Sequence, residues 1–318
     1  MISVVVCTYN RADILAIALC TLGRQALDPA QYEVIVVDNN SSDHTPQLVA
    51  DLQQQQSNLR YVRETRQGLA HARNRGWQEA RGSYVAYTDD DCKLPPQWLR
   101  VAHSIIAERQ PLVFGGPYFP FYLAGRPRWF KDHYGAKNLG AQARYLPNNE
   151  YLSGGNIFFS RPLLANSGGF NPNLGMAGDA IAYGEETDLI RRLRSADAGL
   201  HLYYEPQLFV YHLVRAEKFS VAWRIRASFR TGLYAGIVFR QPQYTTDYGR
   251  IIKSSMRLVI SMIKNISISL FRRDRRQYPF WQNYLYEYIA PRYIHVLGAH
   301  YAQLQFRNRT LHSDKVLN

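Results

Sequence analysis

Short runs of β-branched residues, each followed by a polar loop and then an amphipathic stretch, set the rhythm of the N-terminal third. Ile2-Ser3-Val4-Val5-Val6-Cys7 and Tyr32-Glu33-Val34-Ile35-Val36-Val37 are almost unbroken, the pattern of strands covered on both faces of a parallel sheet. Leu59-Arg60-Tyr61-Val62 and Tyr84-Val85-Ala86-Tyr87-Thr88 repeat the signature in shorter form. Helical spacing falls between them, over about Asp13–Gly23, from His44-Thr45 towards Gln56, and over Gly68–Arg81. Strand and helix alternating every ~25–30 residues predict a Rossmann-like, doubly wound, mostly parallel α/β sheet. A helix over Trp98–Arg109 and a strand over Leu112–Gly116 extend the pattern. Residues 117–150 lose all period to Pro117, Pro120, Pro127 and Pro147, yet stay rich in aromatics, which predicts an ordered insertion. A Gly-rich turn then enters a strand ending near Arg161, a flexible connection runs from Gly168 to Ala182, and Tyr203–His212 reads as one further strand.

The polar residues at the strand ends carry the chemistry. In open α/β sheets the loops after the strands gather along one edge, which groups Thr8–Arg11, Asp38 and Asp89-Asp90-Asp91 around a crevice. Three adjacent carboxylates repel one another, and a hard divalent cation with oxygen ligands is a physical reason to collect them. A solvated acidic turn is the plainer account of such a triplet, and a turn or cap that of Asp38. A second acidic cluster, Gly184-Glu185-Glu186-Thr187-Asp188, opens a helix. There Asp188 suits the helix dipole, whereas proton removal from an attacking hydroxyl needs a base such as Glu186.

These motifs resemble those of the family 2 glycosyltransferases. Val6-Cys7-Thr8-Tyr9-Asn10-Arg11, then Val36-Val37-Asp38-Asn39-Asn40-Ser41-Ser42-Asp43, then Asp89-Asp90-Asp91 followed by Pro95, are similar to that family's nucleotide-sugar domain. Arg66-Gln67-Gly68-Leu69-Ala70-His71-Ala72-Arg73-Asn74 resembles its segment leading into the metal motif. The resemblance covers about residues 1–214 and implies the GT-A fold. It also implies that Thr8, Tyr9, Arg11 and Asp38 hold the base and ribose of a nucleotide-diphosphate sugar, a UDP-sugar first, with Arg66 nearby. Asp89, Asp90 and Asp91 then form the D-x-D motif, with Asp89 and Asp91 on Mn²⁺ or Mg²⁺ and Asp90 counted with the donor site. Gly154, Gly155 and Asn156 match the donor-sugar loop, and Glu186 stands where the family's base is usually Asp. His212 would complete the metal site, an imidazole fitting Mn²⁺ better than Mg²⁺. The implied activity is inverting transfer of a sugar to a glycan or lipid-linked acceptor in polysaccharide or lipopolysaccharide assembly. Nucleotidyl transfer and an inactive nucleotide-sugar-binding protein are the alternatives; the first would place a Gly- and Lys-rich phosphate loop after the first strand. The implied division is a catalytic domain over 1–214, with a nucleotide half to about 116 and an acceptor half from 117, and a basic helical extension over 215–318.

Charge sets that extension apart. The net charge of +13 lies wholly in residues 215–318, which hold 18 Lys+Arg against 5 Asp+Glu, whereas residues 1–214 balance at 20 each. Over Ile251–Phe271, Lys253, Arg257 and Lys264 fall within about 40° on a helix, with apolar residues around the rest. With Arg272-Arg273-Asp274-Arg275-Arg276 behind it, this fits a helix lying on an anionic membrane, and Trp281, Tyr284, Tyr286 and Tyr288 are expected in the headgroup zone. Packing on the catalytic domain, or on a second copy in a homodimer, is the competing use of the apolar face. Nucleic acid is not expected, because the apolar face is too wide. Cys7, Cys20 and Cys92 have no metal or redox spacing and read as reduced thiols. Neither a secretory signal nor a membrane-spanning run is expected, so the chain is placed in the cytoplasm, peripherally on the membrane's cytoplasmic face.

Overall fold

The computed structural model describes residues 1–176, 183–239 and 248–313, with side chains to Gln305. These residues form two compact units: 1–123, 132–176 and 185–214 make the first, and 124–131, 183–184 and 215 onward make the second.

The first unit begins as the periodicity predicts: β1 (Ile2–Thr8), α1 (Ala12–Leu22), β2 (Tyr32–Asp38), α2 (Thr45–Gln53), β3 (Leu59–Arg63), α3 (Leu69–Glu79) and β4 (Tyr84–Asp89). Next come β5 (Cys92–Lys93), α4 (Trp98–Arg109), β6 (Val113–Gly115), β7 (Tyr118–Phe121), β8 (Arg144–Tyr145) and β9 (Asn156–Ser160). The unit ends with α5 (Arg161–Ser167), α6 (Glu185–Ala196), β10 (Leu202–Tyr204) and β11 (Val210–Leu213). An eight-stranded sheet runs β3-β2-β1-β4-β9-β6-β10-β8, and a three-stranded sheet runs β5-β11-β7. β1 to β4 pair in parallel, while β9 enters antiparallel between β4 and β6.

Both faces of the main sheet are covered, which explains the unbroken hydrophobic runs. Val4, Val6, Val34 and Val36 face Leu15 and Leu19 of α1 and Trp98 and Leu99 of α4. Val5, Ile35 and Val37 on the other face pack with Ala70 and Ala72 of α3 and Leu189 and Ile190 of α6.

Two expectations for this unit need correction. Residues 117–150 are not simply irregular; they contribute β7 and β8 to the two sheets. Tyr203–His212 is two strands in different sheets, β10 and β11, parted by a turn at Glu205-Pro206-Gln207 in which Leu208 N–H donates to the Glu205 carbonyl at 3.1 Å. Proline has no N–H to continue a ladder. Of the connection expected over Gly168–Ala182, residues 177–182, Asp179 among them, lie outside the described residues.

The second unit is helical: α7 (Val221–Val238), α8 (Tyr248–Arg272), α9 (Trp281–Tyr284), a π-helix over Leu285–Ile294 and α10 (His295–Ser313). Here Tyr284 and Tyr286 are buried rather than placed for headgroups. Tyr284 stacks on Tyr288 at 5.0 Å, and Tyr286 packs against Trp129 and Phe130. Among the described residues no helix is long and apolar enough to cross a membrane.

Candidate active site

Parallel register brings the first polar groups together. Thr8 pairs with Asp38 across β1 and β2, and Cys7 with Asp89 across β1 and β4, so the three strand ends share one rim. Asp38 is fully buried: Oδ1 accepts from Ser41 N–H at 2.8 Å and Oδ2 from the Tyr61 hydroxyl at 2.7 Å. Burial, then the Asp38 carboxylate beside it, pushes the Tyr61 hydroxyl well above its ordinary pKa. Tyr9 is half-buried just past the β1 end. Arg66 is 64% exposed and paired with Glu64, Nη2 to Oε2 at 2.9 Å. Its loop is tied down by Asn39, whose Nδ2 donates to the Arg66 carbonyl at 2.7 Å and whose Oδ1 accepts from Gly68 N–H at 2.7 Å. Asn39 belongs to the quoted loop motif, but nothing local in the sequence announces this staple.

The three aspartates have different surroundings. Asp90 is buried and accepts from Thr8 Oγ1 at 2.9 Å and Arg11 Nη1 at 3.0 Å. Burial raises its pKa, while Arg11 opposes that shift. Thus Thr8, Arg11 and Asp90 form a brace under the triplet. Asp89 and Asp91 point together: His212 Nε2 lies 3.3 Å from Asp91 Oδ1 and 3.6 Å from Asp89 Oδ2. Register places it there, since His212 of β11 pairs with Cys92 of β5, the strand directly after the triplet. Ligand atoms of Asp89, Asp91 and Cys92 lie within 4.8 Å of one another. Burial holds the Cys92 thiol protonated by raising its pKa, and a neutral thiol is a poor ligand for a hard ion. Two carboxylates and an imidazole are a donor set that fits Mn²⁺ or Mg²⁺, Mn²⁺ the better.

The Gly-rich loop seats these groups. A Cβ on Gly155 would come 2.3 Å from Asp89 Oδ2, and one on Gly154 would come 2.6 Å from Arg73 Nη2. Asn156 is fully buried, accepting from Trp98 Nε1 at 3.0 Å and donating to the carbonyls of Leu208 at 2.6 Å and Pro117 at 3.1 Å. Its amide therefore ties loops together instead of facing a crevice.

Arg73, on α3, is the group that sequence reasoning missed. Its buried guanidinium donates to Glu185 Oε1 at 2.9 Å and lies 3.9 Å from Glu186 Oε2 and 3.8 Å from Asp89 Oδ1. Burial disfavours its charge, but Glu185, Glu186 and Asp89 outweigh that and raise its pKa. The rings of Tyr87 and Phe170 flank it. One cation thus joins the metal-type carboxylates to the acid pair at the start of α6. Within that pair, the Glu185 side chain is 6% exposed and Glu186 23%. Burial, then the adjacent Glu186 charge, raises the Glu185 pKa against the pull of Arg73. Lys137, its pKa lowered by burial, also feels the Glu186 charge.

Residues 3–168 match the family model for glycosyl transferase family 2. The chain belongs to that family. A relative, the glucosyl-dolichyl phosphate glucuronosyltransferase of Haloferax volcanii, is 24% identical over 274 residues, 83% of this chain and 86% of that protein. The GalNAc(5)-diNAcBac-PP-undecaprenol beta-1,3-glucosyltransferase of Campylobacter jejuni is 36% identical over 116 residues, 36% of this chain and 37% of that one. Among solved structures, mannosyltransferase PcManGT from Pyrobaculum calidifontis, in complex with GDP-Man and Mn²⁺, aligns at TM-score 0.60 and 21% identity over 91% of this chain and 85% of that one. S. aureus TarS 1-349 in complex with UDP-GlcNAc aligns at TM-score 0.55 and 20% identity over 77% and 68%. The fold of this glycosyltransferase is therefore GT-A, a mixed α/β architecture around a large, mostly parallel sheet.

Proposed function

We propose that this glycosyltransferase moves a sugar, with inversion, from a nucleotide-diphosphate sugar to an acceptor hydroxyl on a lipid-linked glycan, in a metal-dependent reaction. The observation that carries the reading is the single guanidinium of Arg73 holding both the Asp89 carboxylate and the Glu185–Glu186 pair within 4 Å. Asp89, Asp91 and His212 would hold Mn²⁺ or Mg²⁺, which when bound neutralises charge developing on the departing diphosphate. Glu186, the more exposed of its pair, takes the proton of the attacking hydroxyl, while Glu185 anchors the helix start through Arg73. Thr8, Arg11 and Asp90 hold the triplet in place. Thr8, Tyr9, Arg11 and Asp38 are assigned to base and ribose, with Arg66 nearby; Gly154 and Gly155 let the loop approach the donor sugar, and Asn156 keeps that loop rigid.

A UDP- or GDP-sugar donor is supported by the ligands of the two structural neighbours, and a lipid-linked acceptor by the names of the two relatives. Catalysis is assigned to residues 1–214, with the nucleotide half ending near 116, and the enzyme is placed peripherally on a cytoplasmic membrane face.

The test is release of nucleoside diphosphate from a panel of donors with Mn²⁺ or Mg²⁺. Asp91→Asn is expected to abolish metal-dependent turnover. Glu186→Gln is expected to lower turnover on the order of 10²–10⁴-fold with donor affinity nearly unchanged. An equal loss of donor affinity in the Glu186 variant would reject it as the base.

A further inference from the structure

We propose that the outer flank of α8 is a docking surface for an anionic bilayer. The helix has three flanks. Leu258, Met262 and Ile266 on the inner one pack with Tyr284, Ile289 and Tyr293 of the same unit. Two polar contacts fix the helix's rotation: Ser255 Oγ lies 2.9 Å from His300 Nδ1, and Asn265 Nδ2 donates to the Tyr293 hydroxyl at 2.9 Å. The outer flank is apolar and open. Ile252, Met256, Val259, Ile260, Ile263 and Leu270 are all exposed, and at 100° per residue they occupy an arc of about 100°. Phe271 continues the stripe at 90% exposure. Lys253, Arg257 and Lys264, exposed as well, form a ridge of about 40° directly alongside.

An exposed apolar stripe this long, rimmed by charge, marks an interaction surface. Its occupant is set by charge. Residues 248–276 contain eight Lys and Arg and one acid, Asp274, whose carboxylate already accepts from Arg276 N–H at 2.8 Å. A second copy of this surface offers the ridge a single acid against eight cations. An anionic bilayer supplies both requirements: acyl chains accept the stripe, and headgroup phosphates accept the ridge together with exposed Arg272, Arg275 and Arg276. The helix lies on such a surface rather than crossing it. This surface rests on, and supplies the contact for, the peripheral placement proposed above; because vesicle binding is measured without turnover, it can fail while the sugar-transfer reading stands.

The experiment is flotation of the full chain with vesicles of phosphatidylcholine alone or with about one-third phosphatidylglycerol, at about 0.1 M and about 1 M salt. The protein is expected to float with the anionic vesicles only. Lys253→Ala/Arg257→Ala/Lys264→Ala should weaken partition at the lower salt on the order of a hundredfold, roughly fivefold per cation. Ile260→Ser/Ile263→Ser should release whatever wild-type binding survives at the higher salt. These sites are exposed, and circular dichroism checks that the variants fold. Failure to float with anionic vesicles, or both variants floating like the wild type, overturns the proposal. A dimer in sedimentation that Ile260→Ser/Ile263→Ser dissociates, and that vesicles leave intact, also overturns it by assigning the stripe to a second copy.

Discussion

Arg73 shows how much of a site one buried charge can organise. Its guanidinium is enclosed by Tyr87, Phe170 and the Gly154 backbone, and its hydrogen-bond partner Glu185 is 112 positions away in the chain. Removing one member of a buried ion pair strands the other at a cost of about 3–5 kcal/mol. Arg73→Met should therefore lower stability by about that amount in urea unfolding. Arg73→Met/Glu185→Gln should recover much of the stability but not the turnover, because Asp89 and Glu186 still lose their shared cation. Additive losses in that cycle would show that the pair is not coupled. The role was not legible locally, since Arg73 sits in an Ala- and Arg-rich helix where a cation ordinarily meets solvent. By contrast, the positions of Thr8, Asp38 and the aspartate triplet were legible, because each closes or follows a short β-type run of the kind covered on both faces of a sheet.

Among the elements, helix crossings in the second unit depend on missing side chains. A Cβ on Gly232 of α7 would fall 1.8 Å from the His295 carbonyl oxygen, and one on Gly298 of α10 would fall 2.1 Å from that of Phe229. Backbone cannot yield as a flexible side chain does, so Gly232→Ala should cost about 1–3 kcal/mol. Gly125→Ala, where a Cβ meets nothing within 4 Å, is the matched control and should leave thermal unfolding unchanged. Amphipathicity made α8 visible in the sequence. Its apolar arc, though, proved to be two surfaces, one packed and one open, and periodicity alone has no means of dividing them.

For the molecule as a whole, ligand binding should report on the rim. A nucleoside diphosphate with Mn²⁺ at about 100 times its dissociation constant adds about 2.7 kcal/mol to the folded state, raising Tm by about 5 °C. Asp91→Asn should erase the metal-dependent part of that shift, measured by differential scanning fluorimetry. An unchanged shift in the variant would place the ion elsewhere. The sequence by itself determined that β1, β2 and β4 are strands of a mostly parallel sheet with a polar rim after them, because burial on both faces leaves a local mark in those runs, whereas their order with β3, β3-β2-β1-β4, came from the pairing. Only the tertiary structure decided what that rim meets. The antiparallel insertion of β9 seats Gly155 against Asp89, the pairing of β11 with β5 delivers His212, and α6 carries Glu185 and Glu186 to Arg73. Those meetings are set by register and packing between segments far apart in the chain, and local hydrophobic periodicity carries no record of them.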